Sequence, residues 1–136
     1  MELGDPGIPH AVVPVKNLRD FDTAKLRELG RRLRYYPEFP KGANVNFYEI
    51  IGADHIYERT YERGVEDFTY ACGTGTGSVV TVLTLQGKVS GHQVRVNMTG
   101  GQLMVDVERE GNQVTNLYLT GPTNIVCKGE ITDEAL

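Results

Sequence analysis

The sequence lacks several features that would assign it to a common class. It has no tryptophan and only two cysteines, Cys72 and Cys127, which lie far apart and outside any Cys-X-X-Cys pair. That spacing argues against a disulfide framework, a zinc site and thioredoxin-type redox chemistry. Positive charge is not in excess either, and the formal net charge of −4 argues against nucleic acid or an anionic membrane surface as the main partner.

Long hydrophobic runs are also lacking. No apolar stretch approaches the ~20 residues needed to cross a bilayer, and the opening MELGDPGIPH has neither the basic nor the apolar region of a signal peptide. We therefore expect a cytoplasmic protein with no membrane partner and with reduced thiols. The 136 residues, 40% of them hydrophobic, predict one domain over residues 1–136 that is long enough to bury a core.

One helix is clearly marked near the N-terminus. It is predicted to begin after Asp22, a good N-cap residue, and to end before Pro37. Half of the 14 lysines and arginines fall between Lys16 and Arg34, interleaved with acidic residues, which indicates a solvated helix face. Apolar residues recur at helical spacing at Leu26, Leu29, Leu33 and Tyr36.

Most of the remaining chain predicts β-strands. Pro14 limits the first strand to a sheet edge or an early end, and Gly52-Ala53-Asp54 joins the next two as a hairpin. The predicted runs are residues 10–15, 45–51, 55–62, 93–99, 102–108 and 113–119, with 124–127 as a further candidate.

Residues 78–85 (SVVTVLTL) are ambiguous on local grounds. Their β-branched side chains favour a strand. Gly87, however, lies where a helix C′ residue belongs, and the preceding Gly-Thr-Gly-Thr-Gly resembles a loop that leads into a helix. A helix that is apolar on nearly every side would have to be buried. The residues alone leave both alternatives open.

Cys72 directly precedes this glycine-rich run. If a helix begins there, the free amides of Gly73 and Thr74 would attract an anion and favour the thiolate form of the cysteine. The run has no lysine for a Walker loop and does not fit Gly-X-Gly-X-X-Gly. The alternatives that remain are an activated nucleophile beside an anion pocket and a tight turn with a small buried thiol.

The segment YERGVEDFTYACGTGTG resembles the second cysteine motif of the diaminopimelate epimerases, pyridoxal-phosphate-independent isomerases of lysine and peptidoglycan biosynthesis. GDPGIPHAVVPV, RYYPEFPKGANVNF and LTGPTNIVCKGEI match the same family in order. The resemblance covers essentially the whole chain but only the second half of the family's protein. The family's first lobe, with its own catalytic cysteine in a Cys-Gly-Asn-Gly loop, has no counterpart in this sequence.

The resemblance implies a mixed α/β (α+β) fold, in which each lobe is a curved, mainly antiparallel sheet wrapped around a central helix. Residues 78–85 would then form the buried helix. It also implies interconversion of LL- and meso-diaminopimelate without cofactor or metal, with one thiolate removing the α-proton and a thiol on the opposite face returning one. The expected partners are this small amino-acid substrate and the missing N-terminal lobe.

Site residues follow from the matched motifs. By resemblance, Cys72 is the second catalytic thiol, Glu62 tunes that thiol, and His10 tunes the thiol of the first lobe. The positions matching substrate-binding residues are Asn44, Glu62, Arg63, Gly73 and Thr74.

Departures from the family's pattern leave other functions open. Ile8 stands where the family most often has asparagine, and Phe68 where we expect glutamate. A related racemase for another amino acid and a non-catalytic binding or assembly module are the alternatives. Cys127 is interpreted as a small buried hydrophobe in the last strand. We expect the chain to be inactive alone, and to self-associate or to have a loose terminal segment over residues 129–136.

Overall fold

The computed structural model describes residues 7–134, which form one curved, seven-stranded sheet with two α-helices. The helices are α1 (Thr23–Arg34) and α2 (Gly73–Leu85), and a short 3-10 turn covers Leu18–Asp20. Neither α-helix in this part of the chain is long and apolar enough to span a bilayer. The strands are β1 (His10–Pro14), β2 (Asn44–Gly52), β3 (His55–Glu62), β4 (Asp67–Phe68), β5 (Val94–Met98), β6 (Gly101–Glu110) and β7 (Gln113–Thr120).

The sheet is mainly antiparallel, as the resemblance implies. Its strands follow the order β1-β2-β3-β5-β6-β7, and the two-residue β4 pairs with β3. Only the β1–β2 and β3–β5 pairings are parallel within the described residues. Strand β1 lies at an edge of the sheet, which confirms the position predicted from Pro14. The three strands predicted after residue 93 are confirmed as β5, β6 and β7.

Helix α1 covers one face of the sheet. The predicted N-cap is confirmed, since the Asp22 carboxylate accepts a 2.9 Å hydrogen bond from the backbone amide of Lys25. Leu26 is fully buried against Phe47 and its neighbours. The prediction for Tyr36 was wrong: the helix ends at Arg34, and Tyr36 lies beyond it with 49% of its surface exposed. Position 36 therefore adds nothing to the apolar face.

Helix α2 covers the opposite face and confirms the helical alternative for residues 78–85. Val79, Val80 and Leu83 are fully buried against the sheet. Burying such a side chain contributes about 1.5–3 kcal/mol, whereas helix propensities differ by at most about 0.7 kcal/mol for ordinary residues. Burial therefore overrides the β-branched composition. Gly87, at φ +68°, follows the last turn as predicted.

Burial of α2 is not complete on all sides. Leu85 is exposed, and the side of the helix that carries Thr74, Ser78 and Thr81 faces an open cleft of about 1010 Å³. The opposite wall of this cleft comes from the β6–β7 hairpin and includes Leu117. The sheet thus wraps around only part of the helix within the described residues.

Residues 121–134 contain no helix or strand. The candidate strand over 124–127 was wrong, and so was the burial of Cys127, which is exposed. Ile125 and Val126 beside it are 82% and 89% exposed. An apolar run becomes a buried strand only when a neighbouring strand or layer covers it, and nothing in residues 7–134 does so. Of the segment expected to be loose, residues 129–134 are exposed without regular structure, and 135–136 lie outside the described residues.

Candidate functional site at one edge of the sheet

Three of the predicted site residues meet at the edge of the sheet that is formed by the ends of its strands. Strand β1 begins at His10 and β2 begins at Asn44, and these two residues are partners in the parallel register. Strand β3 runs antiparallel to β2 and ends at Glu62, so its last residue reaches the same edge. The topology therefore brings together side chains that are distant in sequence.

Cys72 is the N-cap residue of α2. Its backbone is extended, with φ −139°, and its carbonyl accepts the first helical hydrogen bond from the Thr76 amide at 2.9 Å. The backbone amides of Gly73 and Thr74 come before this first bonded amide in the chain, and the Cys72 side chain does not cap them. The sulfur lies 3.6 Å from the Thr74 hydroxyl. An exposed helix N-terminus with amide donors beside a thiol can hold an anionic group next to a base.

Gly75 brings this helix start into contact with the sheet. A β-carbon on Gly75 would collide with the side-chain oxygen of Asn46. It would also lie only 3.2 Å from both the Cys72 sulfur and the Thr60 hydroxyl oxygen. The glycine thus allows the close approach that places the thiol over β2 and β3. Glycine at this position is a packing requirement for the site.

His10 lies next to Asn46, with 3.2 Å between its Nδ1 and the Asn46 side-chain nitrogen. Partial burial lowers the pKa of His10 below its ordinary value, and the Glu62 carboxylate opposes that shift electrostatically. The Asn46 amide would also oppose it if its oxygen faced the ring. Its nitrogen faces the ring instead, because it donates to the Ala11 carbonyl at 3.1 Å, so this contact favours the neutral ring.

Asn44 and Arg63 are joined at the same edge. The buried Asn44 side chain accepts a 2.7 Å hydrogen bond from the Arg63 backbone amide. The Arg63 guanidinium donates to the Lys41 carbonyl, also at 2.7 Å. Arg63 lines a cleft of about 480 Å³ together with Pro9 and residues of the 38–41 loop. The structure gives these two residues a role in fixing the loop beside the site, and substrate contact stays a prediction.

Sequence reasoning missed a group of buried polar residues directly beneath the site. Glu58 is only 2% exposed and accepts a hydrogen bond from the Thr76 hydroxyl at 2.9 Å. Burial raises the pKa of Glu58 to about 7, against the opposing effect of its bonds to Thr76 and Thr60. The sequence feature that could have indicated the burial of Glu58 is the alternation of side chains along β3, which places Glu58 on the same side as the buried Ile56.

The arrangement supplies a single thiol, amide donors for an anion, and an imidazole held in a partly buried position. No cluster of His, Cys, Asp and Glu suited to a metal ion is found within residues 7–134. Chemically, the site can hold a carboxylate at the helix N-terminus and accept a proton on Cys72 from a neighbouring carbon. A single thiol can exchange a proton with only one face of that carbon.

Comparison with known proteins gives a consistent result. The family model for diaminopimelate epimerase matches residues 4–126. The chain is 39% identical over 125 residues to the diaminopimelate epimerase of Leptospira biflexa serovar Patoc, covering 92% of this chain and 41% of that protein. It is 40% identical over 132 residues to the diaminopimelate epimerase of Aquifex aeolicus, covering 96% of this chain and 45% of that protein. The chain thus spans less than half the length of each of these curated relatives.

A solved structure with a similar fold is the Bacillus anthracis phenazine biosynthesis protein of the PhzF family. The TM-score is 0.59 at 15% sequence identity, and the match covers 88% of this chain and 36% of that one. At this identity the likeness concerns the fold alone. It agrees with a curved sheet wrapped around a central helix.

Proposed function

Because the chain belongs to the diaminopimelate epimerase family, we propose that it forms the C-terminal half of an enzyme that interconverts LL- and meso-diaminopimelate. In this proposal Cys72 is one of two catalytic thiols, and a first lobe supplies the other. That lobe comes either from a separate chain or from the rest of a longer one. The assignment includes a cytoplasmic location, where both thiols stay reduced.

The observation that carries the proposal is the position of Cys72 at the N-terminus of α2. A substrate α-carboxylate held by the amides of Gly73 and Thr74 would place the α-carbon beside the sulfur. The Cys72 thiolate would then take the α-proton, so that a C–H bond breaks and an S–H bond forms. The second thiol would donate its own proton to the opposite face, which forms the new C–H bond and leaves that sulfur as a thiolate. The reverse reaction exchanges the two roles.

The remaining site residues have supporting roles in this scheme. Glu62 and Arg63 contact the substrate, with Glu62 also acting on the nearby thiol, and Asn44 binds the substrate's polar groups. His10 acts on the thiol of the first lobe. What supports these roles is that His10, Asn44 and Glu62 meet at one edge of the sheet, beside the helix that carries Cys72.

The proposal also holds that this chain alone is inactive. Inversion needs an acid and a base on opposite faces of one carbon, and among residues 7–134 only Cys72 is placed at the proposed site to act as either. An open site also lacks the water-excluded surroundings in which amide donors stabilise a developing negative charge best. The cleft beside α2 and the exposed side chain of Leu117 favour a covering partner, either the first lobe or a second copy of the chain.

The test is proton exchange in deuterated water. The chain is mixed with the first half of the Aquifex aeolicus relative, or joined to it as a chimera, and deuterium at the α-carbon of diaminopimelate is measured by mass spectrometry. We expect exchange in the assembled protein, its loss in Cys72→Ala, and its retention in the matched control Cys127→Ala. A folded, assembled chimera without exchange would contradict the proposed function. Exchange by the isolated chain would contradict only its inactivity.

A second candidate is a related racemase for an amino acid with a single head group. The observation behind it is Ile8, an exposed apolar side chain two residues before His10, where the family most often has a polar amide. A substrate without a second amino-acid head would not need that amide. The same exchange assay distinguishes the two functions, because a racemase would label single-headed amino acids such as glutamate in preference to diaminopimelate.

A further inference from the structure

A chain of buried hydrogen bonds connects Glu58 to the proposed site. The Thr60 hydroxyl lies 3.2 Å from one Glu58 carboxyl oxygen and 2.9 Å from the side-chain oxygen of Asn46. The Asn46 side-chain nitrogen lies 3.2 Å from Nδ1 of His10. The second Glu58 oxygen accepts from the Thr76 hydroxyl on α2. All of these contacts lie on the face of the sheet that packs against α2, under Cys72.

The number of donor protons in this chain suits the protonated form of Glu58. Thr60 has one hydroxyl proton, and both the Asn46 side-chain oxygen and an ionised Glu58 carboxylate would require it, because these oxygens can only accept. One of two buried acceptors would then have no donor, which costs about 1–3 kcal/mol. A proton on Glu58 removes the conflict. The acid donates to Thr60, and Thr60 donates onward to Asn46.

The orientation of the Asn46 amide determines which nitrogen of His10 carries the proton. The Ala11 carbonyl can only accept, so the Asn46 nitrogen must face it at 3.1 Å. The same nitrogen then donates to His10, and Nδ1 must accept and carry no proton. The neutral ring therefore has its proton on Nε2. A proton on Nδ1 would place two hydrogen-bond donors, Nδ1–H and the Asn46 amide, facing each other.

We infer that Glu58 is a buried neutral acid that, through Thr60, supports the Asn46 orientation set by the Ala11 carbonyl and hence the His10 tautomer, and is thereby a positioning residue for the site. Its importance for catalysis rests on the proposed function, whereas the hydrogen-bonded chain does not. Glu58 touches no substrate. It acts by holding Asn46 and His10 in one arrangement and by anchoring the first turn of α2 through Thr76.

The surroundings of Glu58 agree with this inference. Tyr48 on β2 is its cross-strand partner. Within residues 7–134 this face also carries three other titratable groups: His10, reached through Asn46, Cys72, near Thr60, and Glu62, which follows Thr60 at the next inward position of β3 and acts electrostatically on His10. Burial raises the pKa of Glu58, and among the described residues no charged side chain contributes to that shift. The neutral form is thus favoured by the apolar surroundings as well as by the proton count.

The first test is nitrogen-15 NMR of His10 in the whole chain. We expect a protonated Nε2 and an unprotonated Nδ1 near pH 6.5, and a change in the His10 signals close to pH 7 as Glu58 ionises. Glu58→Gln should keep the tautomer and abolish that change, because an amide still donates to Thr60 but does not titrate. Thr60→Val should uncouple His10 from Glu58. An Nδ1–H tautomer in the wild type, or a pH 7 step that persists in Glu58→Gln, would overturn the inference.

A second measurement needs no variant, in case the substitutions prevent folding. The carbon-13 signal of the Glu58 carboxyl group should titrate near 7, and a carboxyl that is ionised at pH 6 would overturn the inference. In the assembled enzyme, Glu58→Gln should keep its exchange rate above pH 7 where the wild type loses rate. If no assembled form exchanges protons, the proposed function fails while the two NMR results still decide the role of Glu58.

Discussion

The side-chain oxygen of Asn46 packs directly against the backbone of Gly75, and this contact leaves no room for a β-carbon at the start of α2. Gly75→Ala should therefore destabilise the protein by about 1–3 kcal/mol, as overpacking does in buried sites. Alanine would otherwise stabilise a helix interior by up to about 1 kcal/mol relative to glycine, so the sign of the effect is diagnostic. Urea unfolding measures it.

Gly73→Ala, in the same helix turn, is the matched control for Gly75→Ala. Its β-carbon would meet only the flexible end of Leu119, at 3.1 Å. We expect a change within about 0.5 kcal/mol, the usual range for accessible positions. Equal effects of the two substitutions would contradict the tight contact between α2 and the sheet.

Stability should fall as pH rises from about 4.5 to about 7, because of Glu58. Its pKa is raised by burial from 4.5 to about 7 in the folded chain, so between these values the folded state binds a proton that the unfolded state has released. The stabilisation is fully present below about pH 4.5 and is lost as pH rises through about 7. The shift corresponds to about 3 kcal/mol. Thermal unfolding of the wild type between pH 5 and 8 should show this loss, and Glu58→Gln, which cannot ionise, should show less of it.

The helix N-terminus should select anionic reagents at Cys72. Iodoacetate and iodoacetamide alkylate the same sulfur, but only iodoacetate carries a carboxylate that the amides of Gly73 and Thr74 can attract. We expect the rate ratio of iodoacetate to iodoacetamide to be about two- to fivefold higher at Cys72 than at Cys127, which corresponds to the 0.3–1 kcal/mol typical of an anion at a helix start. Peptide mapping by mass spectrometry gives both ratios from one sample.

Cys127 is the internal control, because it is exposed on a segment without regular structure. Its greater accessibility raises both rates alike and cancels in the ratio. Equal ratios at the two cysteines in the folded chain would argue against an anion site at α2, and hence against the proposed carboxylate position.

The fold was largely predictable because several local signals agreed with one another. Asp22 marked the start of α1, and alternation marked β5 to β7. The helix at 78–85 was not predictable from its own residues, since valine and threonine favour strands locally. Gly87 and the preceding glycine-rich run favoured a helix but left a strand open, and the matched motif around Cys72, which carries information about tertiary burial, decided between them.

The buried chain of polar residues could not be read from the sequence. Alternation places Glu58 and Thr60 on the inner face of β3, but it does not show that Thr76 and Asn46 lie within hydrogen-bond distance of them. That information is tertiary. The error at Cys127 has a related cause, because an apolar run signals a strand only where another part of the molecule covers it.

The exposure of Cys127 also determines how the protein must be handled. A thiol on a segment without helix or strand can meet its equivalent on another molecule with little steric hindrance. In air-exposed buffer, two copies would become joined by an intermolecular disulfide that leaves the sheet and both helices unchanged. A species of doubled mass on a non-reducing gel, lost on adding a reductant or in Cys127→Ser, would be this covalent product. The same thiol is also a convenient point for attaching a fluorophore, because it is exposed.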